Sequence, residues 1–292
     1  MVKKILANCY IYLILFLMYL PILVLIAFSF STNGTISFQD AFNPGWDLYK
    51  NLFSNTQVAK EIWTAVGNTV IIALISAVVS TVLGTLGAIG TFYCKRRAKG
   101  IIEGATQIPV ANAEIVIALS LALMFVFVGT YIFKAYLFSF WTLLIGHVVL
   151  SIPFVYLSVK PKLIQMDPHL YEAALDLGCR PSQGLTKVII PQIMPGIFSG
   201  FLLSITLSLD DYIVTEFTRG PGLLSGDACI ETLSTYIQTS LKKHSVPAEL
   251  RPLTLIIFLT VLAVVIGITL YRHFSVKSKA RKEVVSNEKA II

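Results

Sequence analysis

The sequence predicts an all-α polytopic membrane protein with six transmembrane helices, and three properties of the chain point to this class. Hydrophobic residues make up 55% of the 292 residues, and the mean hydropathy is +0.77. Charged residues make up only 13%, which is too few to cover the surface of a soluble domain. The apolar residues fall into six stretches that each approach the ~20 residues needed to cross a bilayer.

In chain order, each predicted span is a run of apolar sequence with polar or turn-forming residues around it. The first follows Lys3 and Lys4 and is longer than the apolar region of a signal peptide, so we expect it to be retained. The second carries small residues at every fourth position, Ser76, Ser80, Gly84 and Ala88, which is typical of close helix packing. A very short connection makes the third and fourth spans a tight hairpin. The predicted spans are 7–30, 67–92, 106–129, 136–158, 194–217 and 252–273.

Basic residues predict the orientation of the chain. With the N-terminus inside, most of the 23 Lys and Arg residues fall in the inner segments, as the positive-inside rule requires. We therefore expect a multi-pass protein of the plasma (cell inner) membrane with both termini in the cytoplasm. The predicted organisation is an N-terminal helix (1–30), an outer loop with an interfacial helix (31–64), a main transmembrane domain (65–273) and a cytoplasmic tail (274–292).

The inner loop after the fourth span contains a short helix with clear start and stop signals. Asp167 is a favourable N-cap and Pro168 suits the first helical position. Gly178 suits the left-handed residue that follows a helix. The predicted helix covers about 168–177, with an apolar face formed by Leu170, Ala173, Ala174 and Leu177. Such a face on the cytosolic side needs a partner groove to cover it.

Five residues in this region have the spacing of the EAA motif, and the segment resembles that of ABC importer permeases. They are Glu172, Ala173, Ala174, Gly178 and Pro191. The resemblance covers roughly 65–272 and implies the ABC type I importer permease fold for 65–273, although Ile190 stands where leucine is common. It implies that 168–178 is a coupling helix that docks in a cleft of an ATPase subunit. In that reading Glu172 is the charged contact, Ala173 and Ala174 keep the helix slim, and Gly178 makes the turn.

The chain is not expected to be an enzyme. It lacks the G-x-x-x-x-G-K-S/T loop that cradles nucleotide phosphates, so the energy source must be a partner. The resemblance implies two ATPase subunits that carry ATP and Mg, a second permease subunit and an extracytoplasmic binding protein, with no cofactor on this chain. His147 lacks a second ligand at helical spacing and is predicted to be a hydrogen-bonded packing residue, with no metal. No basic and aromatic stripe indicates nucleic-acid binding.

The acidic residues inside the predicted spans are the candidates for a solute pathway. A charged side chain at a helix centre costs ~2.5–3.5 kcal/mol on insertion scales, so those that remain usually face a cavity or a partner. Asp210 and Asp211 would point about 100° apart on a helix. We expect Asp211 to face the pathway and Asp210 a neighbouring helix or subunit. An acidic outer mouth would suit a cation; the alternative is that both aspartates only cap a helix end.

The substrate class rests on a second resemblance. The segments 207–214, 218–222, 232–237 and 246–250 resemble the second permease subunit of spermidine/putrescine importers. This implies a polyamine cargo, with Tyr212 and Glu114 as further pathway residues. Permeases for iron, thiamine or aminophosphonates share similar stretches, so another small solute stays open. A secondary transporter would need inverted repeats or paired broken helices, and a membrane enzyme would need converging titratable groups. We find neither pattern.

Overall fold

The computed structural model describes residues 2–30, 45–134, 138–167, 169–220, 230–243, 246–263 and 266, and every regular element among them is helical. Two π-helical turns interrupt the α-helices: Val128–Phe133 follows α5, and Leu185–Ile189 joins α8 to α9. The helices are α1 (Val2–Ser29), α2 (Asp47–Leu52), α3 (Gln57–Tyr93), α4 (Arg96–Ala111), α5 (Glu114–Phe127), α6 (Phe140–Gln165), α7 (Leu170–Asp176), α8 (Pro181–Gly184), α9 (Ile190–Asp210), α10 (Ile213–Thr218), α11 (Leu233–Lys242) and α12 (Leu250–Ala263).

Five of the described helical runs are long and apolar enough to cross a membrane, and α12 is a shorter apolar helix. The five runs are Cys9–Ser29, Gln57–Tyr93, Glu114–Phe133, Phe140–Gln165 and Pro181–Asp210. The prediction of an all-α polytopic chain is confirmed. The sixth predicted span, 252–273, begins within α12 and extends beyond the described residues, and the predicted tail 274–292 lies wholly outside them.

The predicted start of the third span is wrong. The segment from 106 to Ala111 belongs to α4, and the membrane-length helix begins at Glu114. Asn112 and Ala113 separate the two helices because their backbones are extended, with ψ of 151° and 137°. Glu114 stands in the first turn of the new helix, where a carboxylate is favoured by the helix dipole.

The predicted limits of the fifth span are also wrong. Its helix runs from Pro181 to Asp210, so it starts earlier than residue 194 and stops before residue 217. Asp211 has an extended backbone with ψ of 122°, and a separate short helix, α10, begins at Ile213. Asp210 and Asp211, which the prediction places on one continuous helix, are therefore separated, because Asp210 ends α9 and Asp211 lies outside it.

The chain divides into two compact units, and the larger one, Glu61–His244, is built around α6. Helix α6 packs on α4, α5, α9 and α10, and it meets α3 at Gly84. A Cβ added to Gly84 would lie 2.8 Å from the Val155 side chain. A Cβ added to Gly200 would lie 3.2 Å from the Val155 Cα, and a Cβ added to Gly196 would lie 3.0 Å from the Ser158 carbonyl oxygen. Glycine is thus favoured where α3 and α9 approach the α6 backbone, because any larger side chain would crowd it.

The small-residue stripe on α3 has the packing role that its spacing predicts. Ser80 hydrogen-bonds Ser204 of α9 at 2.7 Å, and Ser76 hydrogen-bonds Ser208 at 3.1 Å. Beyond Gly84, Ala88 belongs to a buried cluster that continues through α6 to the start of α9. The other members of this cluster are Ile89, Val155, Tyr156, Val159, Leu163, Met166, Ile189 and Ile193.

The smaller unit comprises Met1–Lys60 and Ser245–Ile292. In its described part, an aromatic group links the end of α1 to α2: Phe30 lies 5.4 Å from both Trp46 and Tyr49. The Ser29 hydroxyl also meets the Tyr49 hydroxyl at 2.7 Å. Helix α2 falls inside the loop for which an interfacial helix is predicted, and it buries Leu48 and Leu52.

Two glycines one turn apart on α3 test the close packing. At Gly87 an added Cβ meets nothing within 4 Å, so Gly87→Ala should leave stability unchanged or raise it by up to about 1 kcal/mol through helix propensity. Gly84→Ala should lower stability despite the same propensity gain, because overpacking costs about 1–3 kcal/mol. Thermal unfolding of the two variants in one detergent measures the difference. Equal midpoints would contradict the contact at Gly84.

Candidate functional site

The predicted stop signal of α7 is present in the structure, whereas the predicted cap at Asp167 is wrong, because the helix begins at Leu170 with His169 at the N-cap position. The Asp167 carboxylate accepts a hydrogen bond from the His169 backbone N–H at 2.9 Å; Pro168 lies outside the described residues. At the other end Gly178 has φ of +86°. Its N–H donates to the Leu175 carbonyl at 2.9 Å, and the Cys179 N–H donates to the Ala174 carbonyl at 3.1 Å. This paired bonding is the Schellman ending, which favours glycine at its left-handed residue.

The apolar side of α7 is divided between the protein and the outside. Ala174 is buried, and Leu170 packs on the buried cluster at the end of α6. Ala173 is exposed, and Leu177 is 86% exposed. Half of the predicted apolar face is therefore covered by this chain itself, and Ala173 and Leu177 form the half that stays exposed. Glu172 is also exposed, with its carboxylate 3.5 Å from the His169 ring.

Pro191 is the second residue of α9, one residue beyond the π-helical turn. Proline has no N–H to donate and its ring clashes with a carbonyl one turn earlier in a regular α-helix. The wider turn Leu185–Ile189, closed by a bond from the Ile190 N–H to the Leu185 carbonyl, removes the regular pattern just before the proline. The helical run from Pro181 to Asp210 can thus pass a proline without ending.

At the far end of α9, Asp211 caps the short helix α10. Its Oδ2 accepts the Thr215 backbone N–H at 2.8 Å and the Thr215 hydroxyl at 2.9 Å, and its Oδ1 accepts the Val214 N–H at 3.2 Å. The residue is only 5% exposed. The carboxylate therefore satisfies backbone groups that the helix break leaves free, and its oxygens point into the protein.

A chain of hydrogen bonds joins Asp211 to three other helices, and we call it the Asp211–His147 relay. The His147 Nε2 lies 3.0 Å from the Thr215 hydroxyl and 3.7 Å from Asp211 Oδ2. The Nδ1 lies 2.8 Å from the Ser208 hydroxyl, which in turn accepts from Ser76. With the proton on Nε2, every hydroxyl in the relay donates one bond and none is left unpaired. The prediction of a hydrogen-bonded packing histidine is confirmed.

The other predicted pathway residues are not gathered around one point. Asp210 is exposed and has no hydrogen bond or ion pair with any described residue. The half-buried Tyr212 receives a hydrogen bond from Lys242 at 3.3 Å. Glu114, exposed at the start of α5, has no bond to either aspartate. Asp211, which was expected to face the pathway, is buried. Asp210, which was expected to face a neighbouring helix or subunit, is exposed.

Sequence reasoning missed two features of the site. Glu216 and Arg219 form an ion pair at 2.7 Å, and the Arg219 side chain is only 5% exposed; opposite charges three residues apart were the available signal. The ring of Tyr171 lies 5.5 Å from that of Tyr93, and nothing in the sequence pattern indicates this contact.

Among the described residues there is no group of three His, Cys, Asp or Glu side chains that could hold a metal.

Comparisons with known proteins give a consistent result. A family model described as "Binding-protein-dependent transport system inner membrane component" matches residues 80–279. The chain is 32% identical over 261 residues to the spermidine/putrescine transport system permease protein PotC of Haemophilus influenzae, which covers 89% of this chain and 94% of that protein. It is 33% identical to PotC of Escherichia coli K12 over 205 residues, or 70% and 73% of the two chains. The putrescine transport system permease protein PotI of E. coli K12 is 30% identical over 210 residues, or 70% and 71%.

The two aspartates should differ in their effect on stability. Asp211→Ala leaves the N–H groups of Val214 and Thr215 unpaired in a buried site, which should lower stability by about 1–3 kcal/mol. Asp210→Ala removes an exposed carboxylate with no described partner and should change stability by less than about 0.5 kcal/mol. Thermal unfolding of both variants, purified in the same detergent, gives the comparison. A larger loss in Asp210→Ala than in Asp211→Ala would contradict the capping role.

Proposed function

Because this chain belongs to the family of binding-protein-dependent transport system inner membrane components, we propose that it is the transmembrane subunit of an ATP-driven importer that carries polyamines. The observation that carries the substrate class is the extent of the likeness to PotC, which reaches 94% of the length of the Haemophilus protein. Spermidine and putrescine are the solutes in the names of these relatives. They are the first candidates for this chain.

The charges around the end of α9 support a cationic solute. Asp210 is exposed and carries no described partner, so its carboxylate is free to accept ammonium groups in charge-assisted hydrogen bonds. Arg219 is paired with Glu216 at 2.7 Å and therefore adds little net positive charge beside it. We assign the solute contact to Asp210, with Tyr212 next to it, and a supporting role to the buried Asp211. Glu114 is kept as a contact at another point of the pathway.

The exposed edge of α7, formed by Glu172, Ala173 and Leu177, supports docking of an ATPase subunit. An exposed leucine beside an alanine and a carboxylate suits the helix-in-groove mode of binding. Gly178 ends this helix in a conformation that other residues adopt only with strain. Ala174 lets the helix lie close to Gly184. Pro191 belongs to the connection that carries the helix back to α9.

The two ends of α9 support separate locations for coupling and for solute contact. Asp210 lies about 30 Å from Ile190 at 1.5 Å per residue, so coupling and solute contact occur on opposite sides of the membrane. We place α7 and both termini in the cytoplasm and Asp210 toward the outside of the plasma membrane. The partners are a pair of ATPase subunits that bind ATP and Mg, a second permease subunit and an extracytoplasmic binding protein. This chain itself holds no cofactor.

Uptake of labelled spermidine and putrescine tests the solute class. Cells that express the complete system should accumulate polyamine, and Asp210→Asn should reduce uptake about ten-fold or more, since a hydrogen bond to a charged group contributes about 1.5–3 kcal/mol. The control is Asp47→Asn, which neutralises an exposed carboxylate paired with Lys50 on α2 and should leave uptake unchanged.

The uptake results separate two failures. If the assembled wild-type system takes up neither polyamine, the solute is another small molecule such as iron, thiamine or an aminophosphonate, and the importer role is retained. If wild-type uptake is normal and Asp210→Asn matches it, Asp210 does not contact the solute.

Stimulation of ATP hydrolysis tests the coupling helix. Glu172→Arg reverses an exposed charge, so it should abolish the rise in ATPase activity that solute-loaded binding protein causes while leaving the chain folded. Asp47→Arg is the matched charge reversal away from α7 and should keep full stimulation. Both are measured in purified complexes reconstituted in lipid. Normal stimulation in Glu172→Arg would rule out Glu172 as the contact.

A further inference from the structure

Tyr171 occupies a narrow space between α7 and two other elements. Its ring centroid lies 5.5 Å from that of Tyr93, the last residue of α3, at an interplanar angle of 50°. On another side stands Gly184 at the end of α8, where an added Cβ would lie 3.1 Å and 3.3 Å from two ring carbons of Tyr171. The ring is thus held between the end of a membrane-length helix and a glycine that leaves room for it.

The residues around Tyr171 are themselves anchored. Leu170 and Tyr171 both pack on the buried cluster that includes Leu163 of α6 and Ile189 before α9. Phe92 forms an edge-on contact with Tyr93 at 5.1 Å, and the Lys99 ammonium lies 5.6 Å from the Phe92 ring centre. A displacement of the Tyr171 ring would therefore press on side chains that are tied to α3, α4 and α6.

Both ends of α7 are joined to the chain by extended or left-handed residues. Met166 has ψ of 144° and Arg180 has ψ of 151°, while Gly178 has positive φ. A rigid helical connection is therefore missing at each end, so the backbone alone does not fix the tilt of α7. Side-chain contacts must fix it, and an aromatic ring is stiff enough to do so.

We propose that Tyr171 is a positioning residue: its ring, held between Tyr93 and Gly184, transmits movement of α7 to the end of α3 and to α9. This inference rests on the proposed function, since α7 moves only if a partner pushes it. Glu172 and Leu177 are exposed and contact the partner, and Tyr171 transmits the displacement of α7 to α3 and α9. The ring is the group required; its hydroxyl has no part in the role.

The test measures solute moved per ATP hydrolysed by the complete system in lipid vesicles. Tyr171→Leu should lower this ratio roughly three- to ten-fold, in line with the loss of one aromatic pair, while the ATPase subunits still copurify with the chain. Tyr171→Phe keeps the ring and should stay near the wild-type ratio. The matched control is Tyr12→Leu, at a residue of α1 that is 71% exposed, which should behave as wild type.

A second substitution tests the space beside the ring. Gly184→Ala pushes the ring by a few tenths of an ångström and should also lower the ratio. In the Tyr171→Leu background it should have little further effect, because the two changes act on one contact. If Gly184→Ala lowers the ratio by the same factor in the wild-type and in the Tyr171→Leu background, the two residues do not act through one contact.

Hydrogen exchange of the α7 amides in the isolated chain tests the contact without any partner. Exchange should be faster in Tyr171→Leu than in wild type and unchanged in Tyr171→Phe. Unchanged exchange in Tyr171→Leu, or equal losses of transport in the Phe and Leu variants, would overturn the role of the ring. If the exchange result holds but the wild-type chain stimulates no ATPase, the proposed function fails and the positioning contact remains.

Discussion

The close approach of α3 and α9 to the backbone of α6 is the constraint on which the remaining structure depends. Helices in lipid gain no hydrophobic free energy by meeting one another, so contact has to come from van der Waals packing and hydrogen bonds. Gly84, Gly196 and Gly200 allow the backbones to approach, and the Ser80–Ser204 bond at 2.7 Å forms only at that distance. This transport permease therefore obtains its specificity of packing from its smallest side chains.

The Asp211–His147 relay extends this packing to the broken end of the fifth span. A helix break inside a membrane protein exposes backbone groups that must find partners within the protein. Asp211 supplies these partners for α10, and His147 joins it to Ser208 of α9. The same break leaves Asp210 as the last residue of α9, outside the relay. One aspartate thus holds the structure in place, and its neighbour is left exposed, with no partner among the described residues.

How well the sequence predicts the structure depends on how far apart along the chain the interacting residues lie. Two local signals were reliable: the turn at Gly178 and the small residues of α3 have their predicted roles. Hydropathy alone was not, because the breaks at Ala113 and Asp211 fall inside the predicted spans and depend on backbone conformation and on a carboxylate that accepts backbone N–H groups. For the same reason, which of two adjacent aspartates is buried could not be deduced from an assumed continuous helix. The contact between Tyr171 and Tyr93 joins residues far apart in the chain, and periodicity carries no information about it.

The π-helical turn Leu185–Ile189 has a consequence for insertions and deletions in this chain. A π-helical turn accommodates one residue more than an α-helical turn, so loss of one residue within it can be absorbed by conversion to an ordinary turn. The flanking segments then keep their faces, and α8 keeps its orientation relative to α9. The segment between Gly196 and Gly200 contains no π-helical turn. Loss of one residue there would rotate one of these glycines about 100° away from α6. The chain can therefore lose one residue within the π-helical turn, but not between Gly196 and Gly200.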